Sequence, residues 1–133
     1  MRYLIDTSIC IAILRKQPLV LKRLSAASPS DCAISSITLY ELLTGVEKCR
    51  DPVVERVKVA ALQNALTTLE FDPAAAAQSA SARAVLEAKG MSIGPYDLLI
   101  AGQALAAGLV VVTGNVAEFN RVASLKVEDW THP

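Results

Sequence analysis

Along the chain, short apolar runs rich in strand formers alternate with longer stretches whose apolar residues recur at helical spacing. Residues 2–5, RYLI, form the first run and stop at Asp6, after which residues 7–15 read as helix. Pro18 opens a second helical stretch, LVLKRLSAA. The polar run Ser28-Pro29-Ser30-Asp31 ends it, and Cys32-Ala33-Ile34 follows as a second strand. Ser35 and Ser36 are N-cap residues for a helix through ITLYELLTGVEKC, and Asp51-Pro52 starts another through VVERVKVAALQNALTTL, the two forming a hairpin. Leu69-Glu70-Phe71 is expected to be a short strand. Asp72-Pro73 then opens an Ala-rich helix to about Lys89, closed by Gly90, and Gly94-Pro95 leads into YDLLIAGQALAAG, ended by Gly108. Leu109-Val110-Val111-Val112 is the clearest strand, a continuous apolar run of the kind buried on both faces of a parallel sheet, and Lys126-Val127-Glu128 supplies a last short one. The alternation predicts an α/β fold, a parallel sheet with helices on both sides, with no repeat or linker to interrupt it.

Composition narrows this. A chain of 133 residues suits one domain spanning 1–133. With 53% hydrophobic residues but only 5% aromatics, the core must be built from Ala, Leu, Val and Ile, which favours closely packed helices. Thirteen basic residues balance thirteen acidic ones, so the chain does not coat nucleic acid through bulk charge. The apolar excess points instead to surface covered by a second subunit or a partner. Cys10, Cys32 and Cys49 lack metal-ligand or disulfide spacing and read as small buried hydrophobes. The opening MRYLIDTS is neither signal peptide nor membrane span, so no membrane is involved and a cytoplasmic location is expected.

Most catalytic apparatus is missing. The one histidine, His132, sits at the C-terminus, so no Ser-His-Asp arrangement is available. No GxxxxGK[ST] loop, no GxGxxG after the first strand and no G-x-S-x-G elbow occurs. Carboxylates remain, and carboxylates act on a phosphodiester by holding a hard divalent cation such as Mg²⁺ or Mn²⁺. Asp6 lies where the first strand meets the first helix, a ligand position in open α/β sheets and equally an ordinary N-cap. Glu41 lies mid-helix with no basic residue three or four positions away; it is a site acid or an exposed glutamate. Asp97, in the first turn of its helix, is either favoured there by the helix dipole or placed for chemistry beside the apolar LLIA. Three such acids in a chain without other machinery are more telling together than apart.

The segments YLIDTSICIAIL, ISSITLYELLTG, GPYDLLIAGQALAAGLVVVTGNVAEF and LKVEDW resemble, in order and approximate spacing, the PIN-domain toxins of VapBC toxin–antitoxin modules. The resemblance runs through essentially the whole chain. It implies a Rossmann-like PIN fold and an Mg²⁺-dependent endoribonuclease, with Mn²⁺ able to substitute. Asp6 and Asp97 match the family's principal metal-binding acids and Glu41 its third. The fourth acidic position falls where this chain has Thr113-Gly114-Asn115 and then Glu118, so that corner is shared between Asn115, a neutral ligand at best, and Glu118. Ser8 and Thr7 either cap the helix or orient Asp6, and Phe119 and Trp130 read as packing residues. The resemblance further implies cleavage of a structured RNA, tRNA or rRNA, to stop translation, a cognate VapB-like antitoxin packing over the site, and a homodimer. The alternative is a non-catalytic binding module whose acidic pocket accepts a partner's basic side chain. A phosphotransfer mechanism on Asp6 fits poorly, because Ser8 stands where that chemistry wants a second aspartate.

Overall fold

The computed structural model describes residues 1–133. Five strands, β1 (Tyr3–Ile5), β2 (Cys32–Ser35), β3 (Thr67–Leu69), β4 (Val110–Val112) and β5 (Val127–Glu128), form one parallel sheet in the order β3-β2-β1-β4-β5. Seven α-helices connect them: α1 (Thr7–Leu14), α2 (Pro18–Ala27), α3 (Ser36–Lys48), α4 (Pro52–Ala65), α5 (Pro73–Ala88), α6 (Pro95–Ala107) and α7 (Val116–Phe119). The chain thus lays strands outward from β1 on one side, then crosses back through α5 and α6 to lay β4 and β5 on the other. The order reverses between β1 and β4, and a crevice opens at the carboxyl ends of the strands there.

The period-2 alternation of the strands assigns their side chains to two cores. Tyr3, Ile5, Cys32, Ile34 and Val112 face a layer with Ile9, Val20, Leu42, Val59 and Leu62 from the first four helices. Leu4, Ala33 and Val111 face a second layer with Leu86, Leu98, Ile100, Ala101, Ala104 and Phe119. Leu4, Ile5, Ile34, Val111 and Val112 are inaccessible to solvent, and each such side chain contributes about 1.5–3 kcal/mol of burial. Phe119 and Trp130 are buried, Trp130 edge-on to Tyr3 at 5.2 Å, as expected of packing residues. Cys10 and Cys32 are likewise buried, whereas Cys49 is only half-buried.

Two features depart from or extend the sequence reading. The helix expected to run to Leu69 stops at Ala65, and the strand expected at 69–71 lies instead at Thr67–Leu69. The reason is tertiary: Ala33, Ile34 and Ser35 of β2 need a neighbour, and the β-branched Thr67-Thr68 pairs with them more readily than it extends a helix. The Gln103 amide then seals the strand's end by donating to the Leu69 and Glu70 carbonyls at 3.1 and 3.0 Å. Second, α5 and α6 approach backbone to backbone at Gly102. A β-carbon there would stand 1.9 Å from Ser79 Oγ and 2.7 Å from Ser79 Cα and N, so only glycine permits this contact. Gly90 and Gly108 end α5 and α6 with φ of 65° and 68°, the left-handed conformation their positions require.

Candidate active site

The carboxyl edge of the sheet gathers the acids. Asp6 follows β1 in extended conformation (φ −77°, ψ 173°) and caps α1, its Oδ1 accepting the Ile9 N–H at 3.1 Å. The capping role that the sequence left open is realised, and it leaves the carboxylate at the carboxyl edge of the sheet. The same oxygen accepts the Ser8 hydroxyl at 2.7 Å, and Oδ2 accepts a short bond from the Thr113 hydroxyl at the end of β4. Both hydroxyls in turn accept loop amides, Ser8 from Gly114 at 3.1 Å and Thr113 from Asn115 at 2.9 Å. The carboxylate therefore ties the ends of β1 and β4 together while remaining only 1% exposed. Burial raises its pKa, and its polar neighbours pull it back: the hydroxyls of Ser8 and Thr113 and the amides of Ile9 and Ser8 all favour the charged form.

Glu41 faces the same region from the second turn of α3. Thr7 donates to its Oε1 at 2.7 Å, and the buried Thr38 hydroxyl lies 3.2 Å from Thr7, so α1 holds Glu41 in place. Thr7 and Ser8 thus both orient acids, while Asp6 supplies the cap.

Asp97 behaves differently. Its first-turn position in α6 favours an anion by about 0.3–1 kcal/mol. Its pKa is nonetheless pushed up to about 7, first by burial, then by a hydrogen bond with Glu118 and by the charges of Asp6, Glu118 and Glu41. Glu118 thus opposes the charged form of Asp97 both as a hydrogen-bond partner and as a neighbouring negative charge. Four acids from four segments act on one another electrostatically, and Glu118 of α7 is the one joined to Asp97. Asn115 precedes α7 with an exposed side chain that makes no capping bond. No three acidic, histidine or cysteine side chains close up tightly enough to chelate an ion in this conformation. The donor set is nevertheless all oxygen, with excess negative charge held in one crevice, and it is chemically suited to a hard divalent cation.

Thr113 and Thr38 are the contributors that sequence reasoning passed over. A polar residue directly after a buried valine run, in a segment bound for the switch point, was the available signal for Thr113. Nothing in the sequence marks Thr38.

A groove of about 380 Å³ between α1, α3 and α4 runs from Arg15 and Lys58, past Ile11, Leu14 and Val59, to Glu41. A larger groove, about 570 Å³, lies elsewhere, between α5 and the start of α6, lined by Phe71, Ala80, Leu86, Ile93 and Leu98.

The PIN-domain profile matches residues 3–125. Over 130 residues the chain is 38% identical to the tRNA(fMet)-specific endonuclease VapC of Salmonella typhimurium, covering 98% of each protein. The chain belongs to the PIN-domain family, among the VapC ribonucleases. The corresponding enzyme of Shigella flexneri is 35% identical over 98% of this chain and 99% of its own. In three dimensions this VapC-family chain superposes on the DNA-bound VapBC structure from Salmonella typhimurium with a TM-score of 0.93 at 39% identity, covering 98% of both chains. VapBC2 of Rickettsia felis, bound to a promoter fragment, gives 0.90 at 32% identity over 98% of this chain and 99% of that one. The expected PIN fold is thereby found, and the chain is a nuclease rather than a binding module alone. No helix is long and apolar enough to cross a membrane.

Proposed function

We propose that this VapC-family nuclease is the toxin of a toxin–antitoxin module, a divalent-metal-dependent endoribonuclease that cuts a structured RNA, tRNA or rRNA, in the cytoplasm and so stops translation. The observation that carries the reading is the convergence of Asp6, Glu41, Asp97 and Glu118, with Asp97 driven to about 7 by burial and by the other acids. Such mutual repulsion is relieved by a cation. Asp6, Asp97 and Glu41 would hold Mg²⁺ or Mn²⁺, with Glu118 rather than Asn115 as the acid nearest the fourth corner. When bound, the ion supplies Lewis acidity and charge neutralisation at the phosphodiester.

The chain's own residues do the positioning. Ser8 and Thr113 fix both oxygens of Asp6, Thr7 fixes Glu41, and Asp97, pushed up to about 7, would give up its proton to an arriving cation. Two relatives are named for tRNA(fMet), which makes that RNA the first substrate to try. Purified protein with Mg²⁺ is expected to cut it, and Asp6→Ala or Asp97→Ala to lose the activity at least about a hundredfold. Equal cutting by all three proteins sinks the assignment.

A VapB-like antitoxin is the expected partner, since solved relatives are VapBC complexes. The groove from Ile11 and Leu14 to Glu41 suits an apolar segment that ends in a basic residue. A homodimer is also expected, and the apolar groove between α5 and α6 is surface for it to cover. Light scattering of the free chain and of the chain with its antitoxin tests both.

A further inference from the structure

Two large aromatic side chains stand exposed beside the acids. Tyr40, 52% exposed, immediately precedes Glu41 on α3, and Tyr96, 41% exposed, immediately precedes Asp97 on α6. Their ring centroids lie 5.6 Å apart with planes inclined at 59°, and their hydroxyls are 3.3 Å apart, bridging two helices otherwise 56 positions apart in sequence. Of the other large aromatics, Tyr3, Phe119 and Trp130 are buried in the two cores and Phe71 is half-buried at the groove beside α5, so this exposed pair is set apart from packing.

We propose that Tyr40 and Tyr96 form a stacking platform that receives an unpaired base of the RNA next to the phosphodiester presented to Glu41 and Asp97. This rests on the endoribonuclease reading and deepens it. Neighbouring helix positions point apart, but Tyr96 is close enough to Glu41 to be influenced by its charge and Tyr40 is in contact with Tyr96, so a phosphate held at the acids leaves the adjoining base within reach of the rings. The site needs such a contact. Its acids repel the polyanion, and the chain has no net positive charge to compensate. Base stacking on an aromatic face is indifferent to that repulsion and tolerant of sequence, and recognition of RNA relies on it at unpaired loops. The two rings lie against each other across the gap between α3 and α6, as a platform requires, and the hydroxyl contact adds only a little to that packing. The platform selects cleavage sites in loops over sites in helical stems, whose bases are already stacked on each other.

The test uses the full chain, Mg²⁺ and tRNA(fMet) transcript. Tyr40→Ala and Tyr96→Ala are each expected to raise KM about tenfold with kcat within about threefold, and Tyr→Phe at either position to recover most of the loss. In parallel, the Asp6→Asn protein is irradiated with the same transcript carrying 5-iodouridine in its loops, and the cross-linked peptide is identified. Cross-links at Tyr40 or Tyr96 are expected. If the wild type cuts but the alanine variants keep their KM, or if they change oligomeric mass and lose activity only with it, the platform is overturned; in the second case the pair is a contact between copies. If the wild type does not cut, the nuclease reading fails by itself, and the cross-link still decides the platform: present, it stands as an RNA-binding surface; absent, it falls.

Discussion

Asp6 and Asp97 occupy two sides of one crevice and are both lifted above the ordinary carboxylate range by burial, yet their neighbours act in opposite directions. Around Asp6 every polar neighbour is a donor, two hydroxyls and two amides, and all of them favour the charged form. Around Asp97 the neighbours are acids, Glu118, Asp6 and Glu41, and all of them oppose it. One corner is an anion the protein has already solvated. The other is an anion it has left short of positive charge. Pre-organised donors keep their geometry with or without a ligand, whereas a repulsive cluster stores a preference for whatever cation arrives.

The sharpest way to break this comparison is to neutralise each acid in turn. Both Asp6→Asn and Asp97→Asn are expected to lower RNA cleavage at least about a hundredfold. Their stabilities should move apart: Asp6→Asn turns an amide toward donors and costs about 1–3 kcal/mol, while Asp97→Asn removes repulsion and raises the melting temperature by about 3–5 °C without metal. Thermal melts of the two variants decide it; a shift of the same sign in both would erase the distinction.

Next in size is Thr113→Val, which deletes the donor to Asp6 Oδ2 in a fully buried spot and should cost about 1–3 kcal/mol in denaturant unfolding. Thr7→Val removes a donor to the half-buried Glu41 and should cost less, about 0.5–1.5 kcal/mol, with a several-fold effect on cleavage.

The pH dependence sharpens the contrast further. Between the unfolded value of 3.8 and about 7 the folded chain binds a proton at Asp97 that the unfolded chain has lost. Stability of the metal-free protein therefore falls as pH rises through that window, and Asp6, also raised, adds the same sign. Stabilisation by Mn²⁺ should grow across the same range, because the ion displaces that proton. Melting curves at pH 5, 6, 7 and 8 with and without Mn²⁺ check both, and Asp97→Asn should flatten the slope.

Much of this was legible in the sequence, for a definite reason. Asp6 stood out because it ends the first strand where the first helix begins, Glu41 and Asp97 because each lay among apolar neighbours without a basic partner, and the strand after Gly108 because a valine run has few other places to go. Local pattern was weaker where the structure is decided across the sheet. The end of α4 was misplaced because Thr67 and Thr68 answer to β2, not to the helix before them. Glu118 could not be separated from Asn115, because the distinction lies in which side chain reaches Asp97 from α7. Thr113 was hidden as a donor because its value depends on Asp6, 107 positions away.

Gly102 carries a consequence of another kind. It touches no substrate and holds no charge, but it lies on the same helix as Asp97, and the depth to which that helix can settle against Ser79 depends on its having no side chain. In genetic terms it is a silent partner of the acids. A selection for cells that survive expression of this chain should return substitutions at Gly102 alongside those at Asp6 and Asp97, and the survivors would differ in kind, folded and inactive at the acids, depleted from the cell at the glycine.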